Sequence, residues 1–182
     1  GMITVRSKST RLPEKCFLPF GDGNVIEHVI RRAKHFNINP IVCTTVEESD
    51  DRIVEIAKKE GVRFYRGSEK DKLVRWRDSC REHGVEKFVS IDADDPFFDG
   101  DLSYKSFNTL NDNLDIVKHP IQQPNNGFYE GCVGYSLTYD IVEKTCELKN
   151  TDDTEMMWNF IDKVPSVKVG YLQVDNDKID FP

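Results

Sequence analysis

The sequence has little of what marks a membrane or secreted protein. Its apolar runs are all shorter than the roughly 20 residues that a helix needs to cross a bilayer, so we expect no membrane insertion. The five cysteines are odd in number and widely spaced, and no two of them form a Cys-x-x-Cys pair. We therefore expect reduced thiols, no cysteine-based metal site and, with no secretory signal recognisable, a cytoplasmic protein.

An excess of positive charge is also missing. The chain has 25 Lys and Arg against 32 Asp and Glu, which gives a net charge of −7. Because duplex-binding proteins need a basic face, this balance argues against nucleic acid as a partner. The four histidines show no metal-ligand spacing, and no Ser-His-Asp order stands out. A small anionic ligand, bound by a local basic loop, remains compatible with the composition.

The order of apolar patterns predicts the fold class. A chain of 182 residues can form one domain with a sizeable core, which we assign to residues 1–182, with Gly1 interpreted as an expression-tag remnant. Short apolar runs predict strands over residues 2–5, 40–44, 62–65, 87–91, 115–118 and 167–174. Helical spacing predicts helices over residues 25–36, 51–60, 69–83, 101–113, 138–148 and 153–161. Residues 127–136, where glycines alternate with aromatic residues, favour a strand or hairpin. This alternation is typical of an α/β fold with a mixed, mostly parallel sheet and helices on both faces.

The most basic stretch of the chain follows the first predicted strand. Residues 6–15 read Arg-Ser-Lys-Ser-Thr-Arg-Leu-Pro-Glu-Lys. Guanidinium, ammonium, hydroxyl and backbone N–H groups all suit phosphate oxygens, so this loop is a candidate triphosphate site. A solvated basic loop is the alternative interpretation of the same residues.

A carboxylate cluster follows the fourth predicted strand. Asp92, Asp94 and Asp95 stand at a strand end, where ligands of open α/β sheets bind. Mg²⁺ takes one or two carboxylates and completes its shell with water and substrate phosphates, so the cluster is a candidate metal site. Helix capping is the alternative, and we prefer it for Asp99 and Asp101.

The order of residues in the basic loop is more specific than its composition. Arg6-x-x-Ser9-Thr10-Arg11-Leu12-Pro13-x-Lys15 resembles the signature loop of the cytidylyltransferases that make CMP-activated sugars, most closely the branch for spore coat polysaccharide synthesis. The family usually has Gly where this chain has Lys8 and Glu14. The resemblance implies a three-layer Rossmann-like nucleotidyltransferase fold. It also implies a set of residues that hold the triphosphate: Arg6, Ser9, Thr10, Arg11 and Lys15.

Two further segments extend the resemblance to the metal. Residues 93–99 resemble the family's Gly-Asp-x-Pro-Leu-Ile-Asp, whose first Asp binds Mg²⁺, which implies that role for Asp94. Residues 174–177 resemble Val-Asp-x-Pro, which implies a second metal ligand at Asp175, although Asn176-Asp177 stands where Thr-Pro is usual. By the same resemblance, Arg11, Lys15 and Asp94 are the expected catalytic residues.

Other matching segments imply nucleotide and sugar contacts. Residues 65–75 resemble the family's Arg-Gly-Ser-x-x-Asp-x-Leu-x-Arg, which implies nucleotide contacts by Arg66, Gly67 and Arg75, and Thr44 lies in a similar segment. An ordinary capped helix also explains residues 68–75. Gly127 and Glu155 are the expected sugar contacts, with Met156 where the family has His.

The resemblance implies a Mg²⁺-dependent transfer of CMP from CTP to a sugar or sugar acid, with release of pyrophosphate, in surface polysaccharide precursor synthesis. It also implies a homodimer. Two alternatives stay open from the residues: a non-catalytic nucleotide or nucleotide-sugar binding protein on the same fold, and an enzyme that uses UTP, ATP or GTP.

Overall fold

The computed structural model describes residues 1–9, 12–119 and 132–174. The strands in these parts of the chain are β1 (Met2–Thr4), β2 (Pro19–Phe20), β3 (Gly23–Asn24), β4 (Ile41–Thr45), β5 (Arg63–Gly67), β6 (Lys87–Asp92), β7 (Ile116–Lys118), β8 (Ser136–Thr138) and β9 (Val169–Tyr171). The α-helices are α1 (Val25–His35), α2 (Asp51–Lys59), α3 (Lys72–His83), α4 (Gly100–Thr109), α5 (Tyr139–Leu148) and α6 (Trp158–Ile161). Short 3-10 helices cover Lys15–Phe17 and Glu48–Asp50.

One large sheet organises the described residues. Its strand order is β5-β4-β1-β6-β8-β7-β9, and β2 and β3 form a separate small hairpin. The strands β5, β4, β1 and β6 pair in parallel, whereas β8 runs antiparallel to both of its neighbours. This mixed, mostly parallel α/β sheet confirms the predicted fold class. It also brings the carboxyl ends of β1 and β6 together, because these two strands are paired.

Side chains alternate between the two faces of the sheet, and both faces are buried. Ile3 and Val42 belong to the core beneath α1 and α2, whereas Met2 and Ile41 belong to the core beneath α3 and α5. Successive side chains of a strand point to opposite faces, so a strand covered on both sides reads as a continuous apolar run. Among the described helices, none is both long and apolar enough to cross a membrane.

The predicted helix over residues 153–161 is mostly absent. Only Trp158–Ile161 is α-helical, because the preceding segment is bonded to the start of α3 instead of to itself. The Thr154 hydroxyl accepts from the Leu73 amide at 3.1 Å and donates to the Asp71 carboxylate at 2.9 Å. These bonds position Glu155, which therefore does not begin a helix.

The late strands also differ from their predicted bounds. Of the strand expected within residues 127–136, the described residues 132–135 lack strand pairing and Ser136 belongs to β8, whereas residues 127–131 lie outside the described residues. The strand expected over 167–174 is shortened to Val169–Tyr171. Two helices that flank β6 in the sequence begin at a capping side chain. Asp71 caps α3 by accepting from the Val74 amide, and Asp99 caps α4 by accepting from the Leu102 amide, as preferred for Asp99.

Candidate active site

The loop after β1 is fixed at its base by one buried residue pair. The Ser7 amide and hydroxyl donate to the Asp50 carboxylate at 2.8 and 2.6 Å. The Ser7 carbonyl accepts from the amides of Ser9 and Glu14, which closes the loop on itself. The described parts of this loop, residues 7–9 and 12–14, are therefore held at the carboxyl end of β1.

The Asp50 carboxylate accepts hydrogen bonds from residues at the ends of two strands. Besides Ser7, it accepts from the hydroxyls of Thr44 and Thr45 at 2.9 and 2.5 Å and from the Thr45 amide at 3.2 Å. Burial acts most strongly on this carboxyl and favours its neutral form, but the combined hydrogen bonds from Ser7, Thr45 and Thr44 outweigh it. They hold the pKa of Asp50 below its usual range.

A cleft of about 350 Å³, which we name the cationic cleft, opens beside this loop. Four cations and three carboxylates line it: Arg6, Lys15, Lys72, Arg75, Asp92, Asp94 and Glu155. The carboxyl ends of β1 and β6 form its floor. Such a set of cations at strand ends suits a polyphosphate.

Three of these cations pair with carboxylates across the cationic cleft. The Lys15 ammonium donates to Asp94, the Lys72 ammonium lies 3.1 Å from Asp92, and the Arg6 guanidinium lies 3.4 Å from Glu155. Burial opposes ionisation of Asp94, yet the Lys15 hydrogen bond and charge outweigh it and lower the pKa of Asp94. An anionic ligand that enters the cleft would compete for these cations.

Arg75 is a buried cation at the same cleft. Its Nη1 donates to the carbonyls of Ser68 and Glu69, at 2.5 and 3.3 Å. Its Nε has no hydrogen-bond partner within the described part of the chain. Burial lowers the pKa of the Arg75 guanidinium from its ordinary value. Within the described part of the chain, the Arg75 Nε–H group is thus an unpaired hydrogen-bond donor beside the cationic cleft.

A second space, which we name the aromatic cavity, adjoins the first. It measures about 790 Å³ and shares Asp92, Asp94, Met156 and Trp158 with the cationic cleft. Aromatic side chains line it, with the Tyr135 and Trp158 ring centroids 5.5 Å apart. The Tyr135 backbone is bonded to Ser90 of β6 in both directions. Gly134 permits this approach, because a Cβ there would lie 1.6 Å from the Ser90 carbonyl oxygen.

A family model described as Cytidylyltransferase matches residues 1–159, which include both β1 and β6. The chain belongs to the cytidylyltransferase family. MJ1063 of Methanocaldococcus jannaschii, an uncharacterized protein, is 30% identical over 178 residues, which cover 95% of this chain and 71% of the relative. The spore coat polysaccharide biosynthesis protein SpsF of Bacillus subtilis is 28% identical over 107 residues, or 56% of this chain and 45% of SpsF. The solved structure of a cytidylyltransferase from Leptospira borgpetersenii aligns with a TM-score of 0.83 and 27% identity, covering 96% of this chain and 75% of that one.

Five of the residues expected from the cytidylyltransferase resemblance lie together. The cationic cleft is lined by Arg6, Ser9, Lys15, Asp94 and Arg75. Glu155, an expected sugar contact, also lines this cleft, through its pair with Arg6. Residues that are far apart in the sequence meet because the carboxyl ends of parallel strands share one edge of the sheet.

Three other expected nucleotide contacts are placed elsewhere. Thr44 is fully buried and bonds to Asp50, so its side chain does not reach the cleft. The Arg66 guanidinium bonds to the carbonyls of Thr45 and Glu47 and pairs with Asp51, so it is used within the β4 to α2 connection. Gly67 packs against α3, because a Cβ there would lie 3.2 Å from Arg75 Cγ. In this structure these three residues stabilise the strands and helices around the site and do not line the cationic cleft.

Four expected site residues are outside the described residues: Thr10, Arg11, Gly127 and Asp175. Their roles stay predictions. Across the described part of the chain, no group of three or more His, Cys, Asp or Glu is arranged to hold a metal ion. Asp94 is half exposed and pairs with Lys15. A carboxylate at this position fits Mg²⁺, which needs one or two protein carboxylates when phosphates supply other ligands.

Sequence reasoning missed Lys72. It is the first residue of α3, its side chain is 6% exposed, and it lines the cationic cleft. A cation at a helix N-terminus interacts unfavourably with the helix dipole. A Lys in that position therefore indicates that its ammonium binds a carboxylate or another anion. Here the partner is Asp92, at the end of β6.

Proposed function

We propose that this cytidylyltransferase transfers CMP from CTP to a hydroxyl of a sugar or sugar acid, releases pyrophosphate, and supplies a precursor of surface polysaccharide. The observation that carries the proposal is the cationic cleft, where Arg6, Lys15 and Lys72 face Asp92 and Asp94 at two strand ends. Family membership supports the use of CTP. The similarity to SpsF, whose name refers to spore coat polysaccharide, supports the acceptor class.

In the proposed reaction the acceptor oxygen forms a bond to the α-phosphorus of CTP. The bond from this phosphorus to the β-phosphate oxygen breaks, pyrophosphate leaves with that electron pair, and the hydroxyl proton passes to solvent. Arg6 and Lys15, with Arg11 as a further predicted contact, would hold the triphosphate and offset the charge that develops on the leaving group. No covalent intermediate on the protein is required.

Asp94, together with the predicted ligand Asp175, would hold Mg²⁺, which supplies a Lewis acid for phosphate oxygens. Lys15, which pairs with Asp94 in this structure, would then be available to contact the triphosphate. Lys15 thus has two candidate partners, the carboxylate in the free protein and the phosphate in the complex.

Replacing Lys15 tests its assigned role. Lys15→Ala removes a preorganised donor from the leaving group and should lower turnover at saturating CTP by about 2.7 to 4 kcal/mol, or roughly 10²- to 10³-fold. Pyrophosphate release measures this. Lys8→Ala is the matched control, because Lys8 belongs to the same loop but pairs with Glu47 on the surface, 2.7 Å away. Full turnover in Lys15→Ala would remove Lys15 from the mechanism.

We also propose a cytoplasmic protein, as its cysteine usage indicates, and a homodimer, as the family resemblance implies. Sedimentation equilibrium of the purified chain would test its oligomeric state. A non-catalytic nucleotide-binding protein is the competing function, supported by Glu14 and Met156 standing where the family has Gly and His. Binding of CTP with no pyrophosphate release over a broad acceptor panel would favour it.

A further inference from the structure

Lys72 is a cation whose position in the cationic cleft is fixed by two contacts. Its ammonium lies 3.1 Å from the Asp92 carboxylate and 5.0 Å from the centroid of the Trp76 ring. The Trp76 ring is held in turn, because its Nε1 donates to the Thr4 hydroxyl at 2.8 Å. Thr4 and Asp92 are register partners at the carboxyl ends of β1 and β6. The Lys72 ammonium is therefore fixed beside these two strand ends.

The second lysine of the cationic cleft is less constrained. The side chain of Lys15 is 28% exposed, whereas that of Lys72 is 6% exposed. Lys15 pairs with Asp94, the carboxylate to which the proposed function assigns Mg²⁺. A metal ion at Asp94 would leave Lys15 available for other anions and would leave the pair of Lys72 with Asp92 in place. The two lysines therefore differ in what they can contact during the proposed reaction.

The pair of Lys72 with Asp92 lies where the two spaces of the site meet. Asp92 lines both the cationic cleft and the aromatic cavity, and Lys72 lines the cleft. The inference rests on the proposed function, in which a nucleotide occupies the cleft and the acceptor would occupy the adjoining cavity. The α-phosphate is the group to which the acceptor oxygen bonds, so it must lie at this border. Lys72 is then within reach of the α-phosphate.

A second buried donor lies one helical turn away on α3. Arg75 is 1% exposed, lines the same cleft, and its Nε has no hydrogen-bond partner among the residues that the structure describes. A buried donor without a partner lowers stability, and a ligand oxygen would satisfy it. A lysine ammonium has three N–H donors, of which the pair with Asp92 needs one. This side of the cleft therefore has donors to offer to phosphate oxygens.

The remaining charges of the cationic cleft are compatible with a phosphate beside Lys72. The described lining holds four cations against three carboxylates. Glu155 pairs with Arg6 at 3.4 Å, and Mg²⁺ at Asp94 would add positive charge. An anion bound at this position would therefore face a net positive lining in the described part of the chain.

We propose that Lys72 is a catalytic residue that donates to a non-bridging oxygen of the α-phosphate, while Lys15 binds the leaving pyrophosphate. A fixed ammonium at this place offsets phosphate charge without reorganisation when the acceptor oxygen bonds to the phosphorus. The bonds that form and break are those of the proposed reaction. Lys72 neither gains nor loses a proton.

Binding of CMP and of cytidine isolates the α-phosphate, because the two ligands differ only in that group. Their affinities for the full chain are measured by calorimetry in EDTA, so that no metal ion contributes. We expect Lys72→Gln to lower the ratio of CMP to cytidine affinity by roughly tenfold or more, since a hydrogen bond to a charged group is lost. Lys72→Arg keeps a cation and should lower the ratio less than Lys72→Gln does.

Two other lysines serve as comparisons. Lys70→Gln is the matched control, because Lys70 is exposed, lies two residues before Lys72 and does not line the cleft. It should leave the ratio of CMP to cytidine affinity unchanged. Lys15→Ala should also leave this ratio unchanged but should weaken CTP relative to CMP. A loss of CMP affinity in Lys15→Ala equal to that in Lys72→Gln would overturn the separate roles of the two lysines.

Asp92→Asn distinguishes a phosphate contact from a purely structural ion pair. If Lys72 only joined α3 to β6, Lys72→Gln and Asp92→Asn would weaken CMP binding alike. In the proposal, Asp92→Asn removes a negative charge near the phosphate and leaves the Lys72 ammonium, so CMP should bind as tightly as in the parent protein or more tightly. Weaker CMP binding in a folded Asp92→Asn protein would overturn the proposal, even if Lys72→Gln did not fold.

The parent protein separates failure of this inference from failure of the proposed function. CTP binding with no preference for CMP over cytidine would overturn the role of Lys72 alone. Absence of CTP binding, with and without Mg²⁺, would instead show that the proposed function itself has failed.

Discussion

At the scale of single residues, we expect substitution of Asp50 to lower the stability of the fold strongly. It accepts hydrogen bonds from Ser7, Thr44 and Thr45 in a buried position. Asp50→Asn exchanges one acceptor oxygen for an NH₂ group that faces donors, which should cost about 2 to 3 kcal/mol of unfolding free energy. Urea denaturation measures this. The neighbouring Asp51→Asn, which loses an exposed pair with Arg66, should cost less than about 1 kcal/mol.

The same carboxyl predicts a pH dependence. Because the folded-state pKa of Asp50 is lowered, its stabilisation is complete above the unfolded-state pKa of about 3.9 and is lost as the pH falls through the folded-state pKa. Stability at pH 3 should therefore be closer in Asp50→Asn and the parent protein than at pH 7. A difference that stays constant with pH would contradict the ionised role of Asp50.

Some site residues were predictable from their positions and others were not. Lys15 and Asp94 follow strands, and a parallel sheet brings strand ends together, so their proximity follows from the pattern. Asp50 and Thr154 act through partners 43 and 83 residues away in the chain. Such contacts depend on tertiary packing, which residue type and local spacing do not encode. Asp50 instead resembles a helix cap in the sequence, yet its side chain makes no cap bond.

At the scale of elements, Glu14 holds an unfavourable backbone conformation in the described part of the loop after β1. Glu14 has φ 56° and ψ 19°, in the left-handed region where glycine is favoured, and the family usually has Gly at this position. Glu14→Gly should be more stable than Glu14→Ala by about 1 kcal/mol, because alanine keeps the strain and glycine removes it. The Glu14 amide bond to Ser7 is retained in both variants.

Urea unfolding of Glu14→Gly and Glu14→Ala measures this difference. Both variants lose the Glu14 carboxylate, so the difference between their unfolding free energies reports the backbone strain. Equal stability would contradict the left-handed assignment at residue 14. Binding of CTP to both should stay similar to the parent, since the Glu14 side chain is exposed and does not line the cationic cleft.

Element prediction succeeded where local patterns and tertiary bonds agree. Apart from the hairpin of β2 and β3, which was not predicted, the strands and helices through β6 have predicted bounds within a few residues of the structure, because their apolar runs agree with the core that they form. Residues 153–157 have helical spacing, but Thr154 bonds to Asp71 and Leu73 and holds the segment out of a helix. The adjacent Lys149 pairs with Asp71 in a buried contact, 2.5 Å away, which reinforces this arrangement.

At the scale of the whole molecule, the sheet order explains why a sequence with a net charge of −7 contains a cationic cleft. Parallel pairing of β1 with β6 places the basic loop beside the aspartate cluster, and α3 adds Lys72 and Arg75. The alternation of strands and helices predicted the parallel half. The antiparallel insertion of β8 was not predictable, because strand pairing over such distances leaves no local signal.

The most direct test of a CTP-dependent cytidylyltransferase is thermal stability with CTP, UTP, ATP and GTP, each with and without Mg²⁺. A ligand of the folded state raises stability by about 2.7 kcal/mol at a hundredfold excess over its dissociation constant. Asp94→Asn serves as a control, because it should lose the Mg²⁺-dependent part of any increase. We predict a rise in Tm selective for CTP with Mg²⁺. An unchanged Tm with every nucleotide would contradict the assignment of the cationic cleft as a triphosphate site.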